Sequence, residues 1–176
     1  MLLYILLGLA SILVILLIAA AMKPNTVHYE RITVVNAPPE KILPHIADLH
    51  RWMAWSPWDK LDPNMKRDHS GAQSGVGAKY GWVGNNKAGE GTMEVLEAGN
   101  SGVKIDLRFV RPFKSDCITH FHFTPQGNAT KVRWTMDGPN LFMGKLFGLF
   151  LNMDKMIGKD FETGLAGLKM EVERSK

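Results

Sequence analysis

Val103-Lys-Ile-Asp-Leu-Arg-Phe109 alternates apolar and charged residues at every position. Successive side chains of a β-strand point to opposite faces, so this stretch predicts a strand with one buried and one solvated face. The alternation recurs over residues 120–123 and 131–137, and glycine-containing breaks typical of hairpin turns separate the segments. The sequence therefore predicts an antiparallel sheet that is covered on one side only.

Upstream of these strands, the pattern predicts another strand followed by short helices. Residues 27–35 are rich in Val, Ile, Thr and Tyr and end at Asn-Ala-Pro-Pro, which is typical of a strand with a hard stop. Pro39 and Glu40 favour the first turn of a helix. Three tryptophans at a helical three-residue spacing come next, over residues 52–58, before the period-two pattern begins.

The last part of the chain predicts one long amphipathic helix that covers the sheet. Apolar residues fall on successive turns from Leu146 to Val172, and lysines and glutamates occupy the other faces. Five glycines in and just before this segment each lower helix propensity by up to about 1 kcal/mol relative to alanine. We expect them to permit close approach to the sheet or a bend.

The N-terminal run from Leu2 to Met22 contains no charged residue. Some 21 helical residues span about 31 Å, which matches the roughly 30 Å hydrocarbon core of a bilayer. We therefore divide the chain into a transmembrane anchor, residues 1–24, and one domain, residues 25–176, with the membrane contacted through residues 1–22. A secretory signal cleaved near Ala21 is the alternative, although its usual basic n-region is absent.

The charge pattern favours a single-pass protein whose domain faces the cytoplasm. Lys23, Arg31 and Lys41 follow the apolar run closely, and by the positive-inside rule they place the domain on that side. The formal net charge is +4, and no Lys/Arg cluster indicates binding to nucleic acid. The lone cysteine, Cys117, excludes an intramolecular disulfide framework.

Residues that could carry chemistry are few. His120 and His122 lie two apart on the polar face of a predicted strand, and no third metal ligand has suitable spacing. Gly75-Val-Gly77 lacks the third glycine of a dinucleotide fingerprint and indicates a hairpin turn. Asp160 lies beside the apolar stripe of the predicted helix, where a surface ion pair with a neighbouring lysine is expected. The sequence therefore predicts no metal, no cofactor and no catalytic constellation.

Four motifs resemble those of a known superfamily. Val35-Asn-Ala-Pro-Pro-Glu-Lys-Ile42 looks like its strand-to-helix entry, and residues 46–58 look like its helix-turn. Residues 75–80 and 158–165 are similar to its polyketide cyclase/dehydrase-like branch. The chain after Asn25 thus resembles the helix-grip fold of the SRPBCC superfamily, which also contains steroidogenic-acute-regulatory-type (START) lipid-transfer domains and birch-pollen-allergen-like proteins.

The resemblance implies an α+β helix-grip fold, in which a curved antiparallel sheet of about seven strands wraps a long C-terminal helix around a cavity. The residues expected at the ligand-binding wall are Trp55, Tyr80, Trp82, Phe109, Phe121, Trp134, Met136, Phe150, Met153 and Ile157. Methionine supplies a deformable surface for irregular ligands. A plain filled core is the alternative interpretation of the same residues.

Fold alone does not determine function, so three hypotheses follow. The first is a membrane-anchored binding domain for a hydrophobic small molecule or lipid. The second is a polyketide cyclase/dehydratase-like enzyme, which requires at least one polar side chain in the cavity. The third is an interaction module that supports a membrane complex without a ligand.

The apolar run is expected to be a tether, because the sequence after it already supplies the strands and the helix of a complete hydrophobic core. A chain that starts at Asn25 should therefore fold and stay soluble, as checked by near-ultraviolet circular dichroism and size-exclusion chromatography against the full chain in detergent. Aggregation of the shortened chain would show that the apolar helix belongs to the fold.

Overall fold

The computed structural model describes residues 1–174, which form five α-helices and one seven-stranded sheet. The helices are α1 (Leu2–Ala21), α2 (Pro39–Ala47), α3 (Trp52–Trp55), α4 (Phe142–Phe147) and α5 (Met153–Arg174). The strands are β1 (Thr26–Val35), β2 (Lys66–Gly71), β3 (Ala78–Val83), β4 (Glu90–Gly99), β5 (Gly102–Arg111), β6 (Ser115–Gln126) and β7 (Ala129–Pro139). Single 3₁₀ turns at Leu49–Arg51 and Trp58–Lys60 flank α3.

The sheet is antiparallel throughout, with the order β1-β7-β6-β5-β4-β3-β2. Consecutive hairpins build it from β2 to β7, and β1 closes the far edge by pairing with β7. Two register shifts interrupt the β4–β5 pairing, at Glu90/Gly91 and Val95/Glu97. Such irregularities bend a strand and increase its twist, which suits a sheet that curves around a helix. The predicted α+β helix-grip architecture is confirmed.

The apolar face predicted from the alternation is the inner face of the sheet. Val103, Ile105, Phe121 and Val132 have no exposed surface. The neighbouring polar residues on the same strands lie on the outer face, where they form exposed ion pairs such as Lys104 with Glu97. Exposed pairs of this kind contribute little to stability, so burial of the inner face supplies most of it.

Helix α5 lies against the inner face through a stack of three aromatic rings. The ring of Trp134 on β7 stacks on Phe161 of α5 with centroids 4.2 Å apart, and on Phe121 of β6 at 4.5 Å. Glycines allow this approach. A Cβ atom at Gly164 would lie 2.8 Å from the Trp134 ring, and one at Gly167 would lie 2.7 Å from the backbone oxygen of Trp55. The expected close approach to the sheet is therefore seen at Gly164, whereas Gly167 lies against α3.

The predicted single helix from Leu146 to Val172 is wrong at its start. The chain leaves α4 at Gly148 and begins α5 only at Met153, so residues 148–152 form a non-helical connection. The Asn152 side chain accepts a hydrogen bond from the backbone N–H of Lys155 at 2.9 Å, which caps α5. Asp154 in the first turn adds a favourable charge at the positive end of the helix. The cap therefore sets the start of α5 at Met153, although the apolar periodicity extends further toward the N-terminus.

Helix α1 is long and apolar enough to cross a membrane by length and composition. Its 20 residues span about 30 Å, and its mean hydropathy reaches 3.0. A membrane anchor and a signal sequence are both compatible with these properties. Its final turn packs on the domain, where Ala20 is fully buried. The following linker is held by Asn140, which donates from its backbone N–H to Asn25 O at 2.7 Å and from its side chain to Pro24 O at 2.9 Å.

The contact at Gly167 generates a stability prediction. Glycine to alanine inside a helix ordinarily stabilises by about 1 kcal/mol, but Gly167→Ala places a methyl group against rigid backbone, and such overpacking costs about 1–3 kcal/mol. We expect a net loss of up to about 2 kcal/mol in the free energy of unfolding, measured by chemical denaturation. Thr163→Ala, at an exposed position of the same helix, is the control and should not destabilise. A stabilised Gly167→Ala variant would contradict the packing described here.

Candidate ligand-binding site

A cavity of about 670 Å³ lies between the inner face of the sheet and helices α4 and α5. Every strand except β2 contributes to its wall, together with the turn between β5 and β6 and the start of α4. Aromatic, methionine and aliphatic side chains supply most of this wall. The volume falls within the roughly 300–1,000 Å³ that is usual for small-molecule sites.

Six of the ten residues expected at the wall do line this cavity. They are Tyr80, Trp82, Phe109, Trp134, Met136 and Ile157. All but the last lie on strands, where a period of two decides which side chains point inward. Ile157 lies one turn before Phe161 on α5, on the helix face that is turned toward the sheet.

Trp55 and Phe121 were expected at the wall but lie in the solid core beside it. Both are at most 1% exposed, and their rings meet edge to face with centroids 6.1 Å apart. The Trp55 indole donates to the backbone oxygen of His45 at 3.0 Å, which draws α3 into the closed end of the sheet. Strand parity identified the inward direction of Phe121 correctly, but parity does not tell where along the strand the cavity ends.

Phe150 and Met153 are also misplaced by the prediction, because it continued one helix through residues 148–152. Phe150 is 69% exposed in that connection. Both residues border a separate, more open depression, together with Lys23 and Asn152. Met153 is half-buried and packs on the edge of the core.

Several wall residues are absent from the predicted set. Leu107 has the same parity on β5 as the included Phe109, so the alternation already indicated it, whereas Met93 lies on β4, from which no residue was included. The mouth of the cavity is formed by residues 112–114 and 141–144. These lie in a turn and at a helix start, where no periodicity in the sequence marks the direction of a side chain.

One polar cluster lies on the β3 side of the cavity. Tyr80 donates its hydroxyl hydrogen to Asp59 at 3.1 Å, and the Arg67 guanidinium donates to the same carboxylate oxygen at 2.9 Å. The Asp59 side chain is only 6% exposed, so the ion pair with Arg67 is shielded from water. Burial, and next the charge of Asp59, raise the pKa of Tyr80 above its ordinary value. The phenol is therefore neutral at physiological pH.

Asp160 lies at the cavity on the α5 side, and the expected surface ion pair with a lysine is wrong. Within residues 1–174 no basic nitrogen lies within 4 Å of its carboxylate, although Lys159 is its neighbour in sequence. Burial raises the pKa of Asp160 above its ordinary value. The aspartate therefore places a charge at the edge of an apolar space, where it can accept a hydrogen bond from a bound molecule.

The β6 side of the wall holds Cys117 and Thr119. Burial raises the pKa of the Cys117 thiol, which keeps it protonated and weakly nucleophilic. Thr119 accepts a hydrogen bond from the Trp134 indole at 2.7 Å and donates its own to Thr135 O at 2.9 Å. Its hydroxyl thus fixes the orientation of the Trp134 ring.

Among residues 1–174, no group of three or more His, Cys, Asp or Glu side chains is arranged to hold a metal ion. His120 and His122 lie on the outer face of the sheet with ring centroids 3.7 Å apart. Burial is the main cause that lowers the pKa of each imidazole. The arrangement as a whole can enclose an apolar body and offer it a few hydrogen-bonding groups.

Solved structures share this fold at low sequence identity. A Chromobacterium violaceum protein is 18% identical, with a TM-score of 0.58 over 86% of this chain and 99% of that chain. A Thermus thermophilus protein is 18% identical, with a TM-score of 0.59 over 85% and 99%. The protein Ara h 8.0201 is 10% identical, with a TM-score of 0.52 over 85% and 97%. Such likenesses show the fold alone.

No protein with a curated description matches the sequence. The sequence profile of the family described as polyketide cyclase / dehydrase and lipid transport matches residues 26–173, which is nearly the whole domain after α1. The matched region contains all seven strands, all of α5 except its last residue, and the residues of the cavity wall. The chain therefore belongs to the polyketide cyclase / dehydrase and lipid transport family.

Proposed function

We propose that this protein is a membrane-tethered domain that takes up an apolar small molecule or a lipid in its cavity. The observation that carries the proposal is the 670 Å³ space walled by aromatic and methionine side chains, in a domain whose core is otherwise solidly packed. Protein interiors rarely leave spaces of this size. Transfer of an apolar molecule from water to such a wall is favoured by the hydrophobic effect.

The wall also supports adaptable binding with limited polar recognition. Met65, Met93 and Met136 all contribute to it, and the flexible methionine side chain adjusts to irregular shapes. Asp59 and Asp160 are the carboxylates at the cavity, and both suit a hydroxyl or amide donor on a bound molecule. The ligand class is therefore a mostly apolar molecule with few polar groups.

Helix α1 supplies the tether in this proposal. A domain fixed at the bilayer shortens the aqueous path of an apolar ligand from membrane to cavity. Lys23, Arg31 and Lys41 favour a cytoplasmic domain by the positive-inside rule. Export after cleavage near Ala21 is the alternative, and the mass of the mature chain from the native membrane separates the two.

A cyclase or dehydratase reaction is the second candidate, and the polar cluster is the observation that favours it. Asp59 and Tyr80 at the wall meet the requirement for polar side chains in the cavity. A carrier would release its ligand chemically unchanged, whereas a dehydratase would release a product lighter by one water. The third hypothesis, an interaction module without a ligand, is less well supported, because such a module has no need of an open cavity. A pull-down from detergent extracts would identify its partners.

Filling the cavity provides the test of ligand binding. Leu107 is half-buried on the wall, and Leu107→Trp adds volume inside the space. We expect the affinity for cis-parinaric acid, a fluorescent fatty acid, to fall about tenfold or more, equivalent to about 1.4 kcal/mol. Energy transfer from wall tryptophans such as Trp82 to the probe measures binding directly.

Leu96→Trp is the matched control, since Leu96 on β4 is 39% exposed on the outer face. It introduces the same residue and should leave probe affinity unchanged. Equal affinities for the two variants, with both folded by circular dichroism, would show that the probe does not occupy the cavity.

A further inference from the structure

The mouth of the cavity carries an apolar rim. Five large apolar side chains around it are 38–49% exposed, and we call them the portal rim: Val110, Phe113, Leu141, Phe142 and Met143. Two segments distant in sequence contribute, since Val110 lies near the end of β5 and Phe113 in the turn that follows, and the others lie around the start of α4. The ring of Phe113 also approaches that of Phe147 on α4, with centroids 6.2 Å apart. Contiguous exposed apolar surface of this kind marks an interaction site.

The portal rim lies at the end of the sheet where β5 and β7 finish, and α1 joins the domain at this same end. Thr26, the first residue of β1, pairs with Pro139 at the end of β7, just before Leu141. The hydrogen bonds from Asn140 to Pro24 and Asn25 fasten the linker to the same place. Lys145 of α4 adds a third tie, donating to the Asn25 side chain at 2.6 Å. The end of α1 and the mouth of the cavity are thus held side by side.

Basic residues lie beside the portal rim at this end of the sheet. Lys23 follows α1, Lys114 lines the mouth, and Lys145 projects from α4. In the part of the chain that the structure describes, none of the three is paired with a carboxylate. Apolar side chains flanked by lysines suit the boundary between acyl chains and anionic headgroups.

We propose that the portal rim inserts into the interfacial layer of the bilayer that α1 spans, so that the cavity opens directly onto lipid. This inference rests on the membrane anchoring in the proposed function. The occupant is the bilayer and not a protein, because a spanning α1 ends beside the rim and brings these residues to headgroup level. A ligand would then pass between membrane and cavity without crossing bulk water.

The test places fluorescent labels on the full chain in phosphatidylcholine/phosphatidylglycerol vesicles. Phe113→Cys and Phe142→Cys, each made with Cys117→Ser, carry an environment-sensitive dye at the rim. Val76→Cys is the matched control, because Val76 is an apolar residue, 61% exposed, in the turn between β2 and β3 at the opposite end of the strands. The ten residues of β5 put about 30 Å between the two ends of the sheet.

We expect lipids with a quencher in the acyl chain to remove most of the emission at both rim positions, with a blue shift, and to leave the Val76 label unchanged. Rim labels no more quenched than the Val76 label would overturn the inference. Self-quenching between labelled copies without lipid quenching would overturn it too, in favour of a contact between chains. The readout does not require an occupied cavity, so failure of probe binding and failure of membrane contact are separately visible.

Discussion

The close approach of α5 to the sheet sets the geometry on which the rest of the structure depends. At Gly164 and Gly167 the helix has no side chains, so the Trp134 ring and the backbone of Trp55 come into direct contact with it. Phe161 stacks on Trp134 from the same helix and closes the core at this point. The middle of α5 is therefore fixed against β7 and α3, and the gap toward α4 remains as a cavity.

Polar contacts complete that arrangement without filling the gap. Arg31 on β1 binds Asp154 and Glu162 on α5, and its guanidinium lies across Gly158, where a side chain would displace it. On the opposite side of the cavity, Asp59 holds Arg67 and Tyr80 together. Both groups fix the walls relative to one another. This member of the family described as polyketide cyclase / dehydrase and lipid transport thus has an open, mostly apolar interior.

Much of the fold could be predicted from the sequence because strand alternation is a strict physical signal. The inward residues of β5, β6 and β7 followed directly from it, including the wall residues Phe109, Trp134 and Met136. Phe121 shows its limit, since parity gives the direction of a side chain and not its position relative to the cavity. Phe150 shows a second limit. The apolar periodicity predicted one helix through this residue, but the Asn152 cap makes α5 begin only at Met153. The mouth of the cavity lies in a turn and at a helix start, where the sequence has no regular apolar spacing. Only the tertiary structure shows which way these side chains point.

The central claim is that the space between the sheet and α5 holds an apolar molecule, and native mass spectrometry of the full chain tests it most directly. The chain released gently from its micelle should carry one additional apolar molecule of defined mass, which dissociates on activation. The bare mass of the chain in every preparation, including those incubated with lipid extract, would contradict the account.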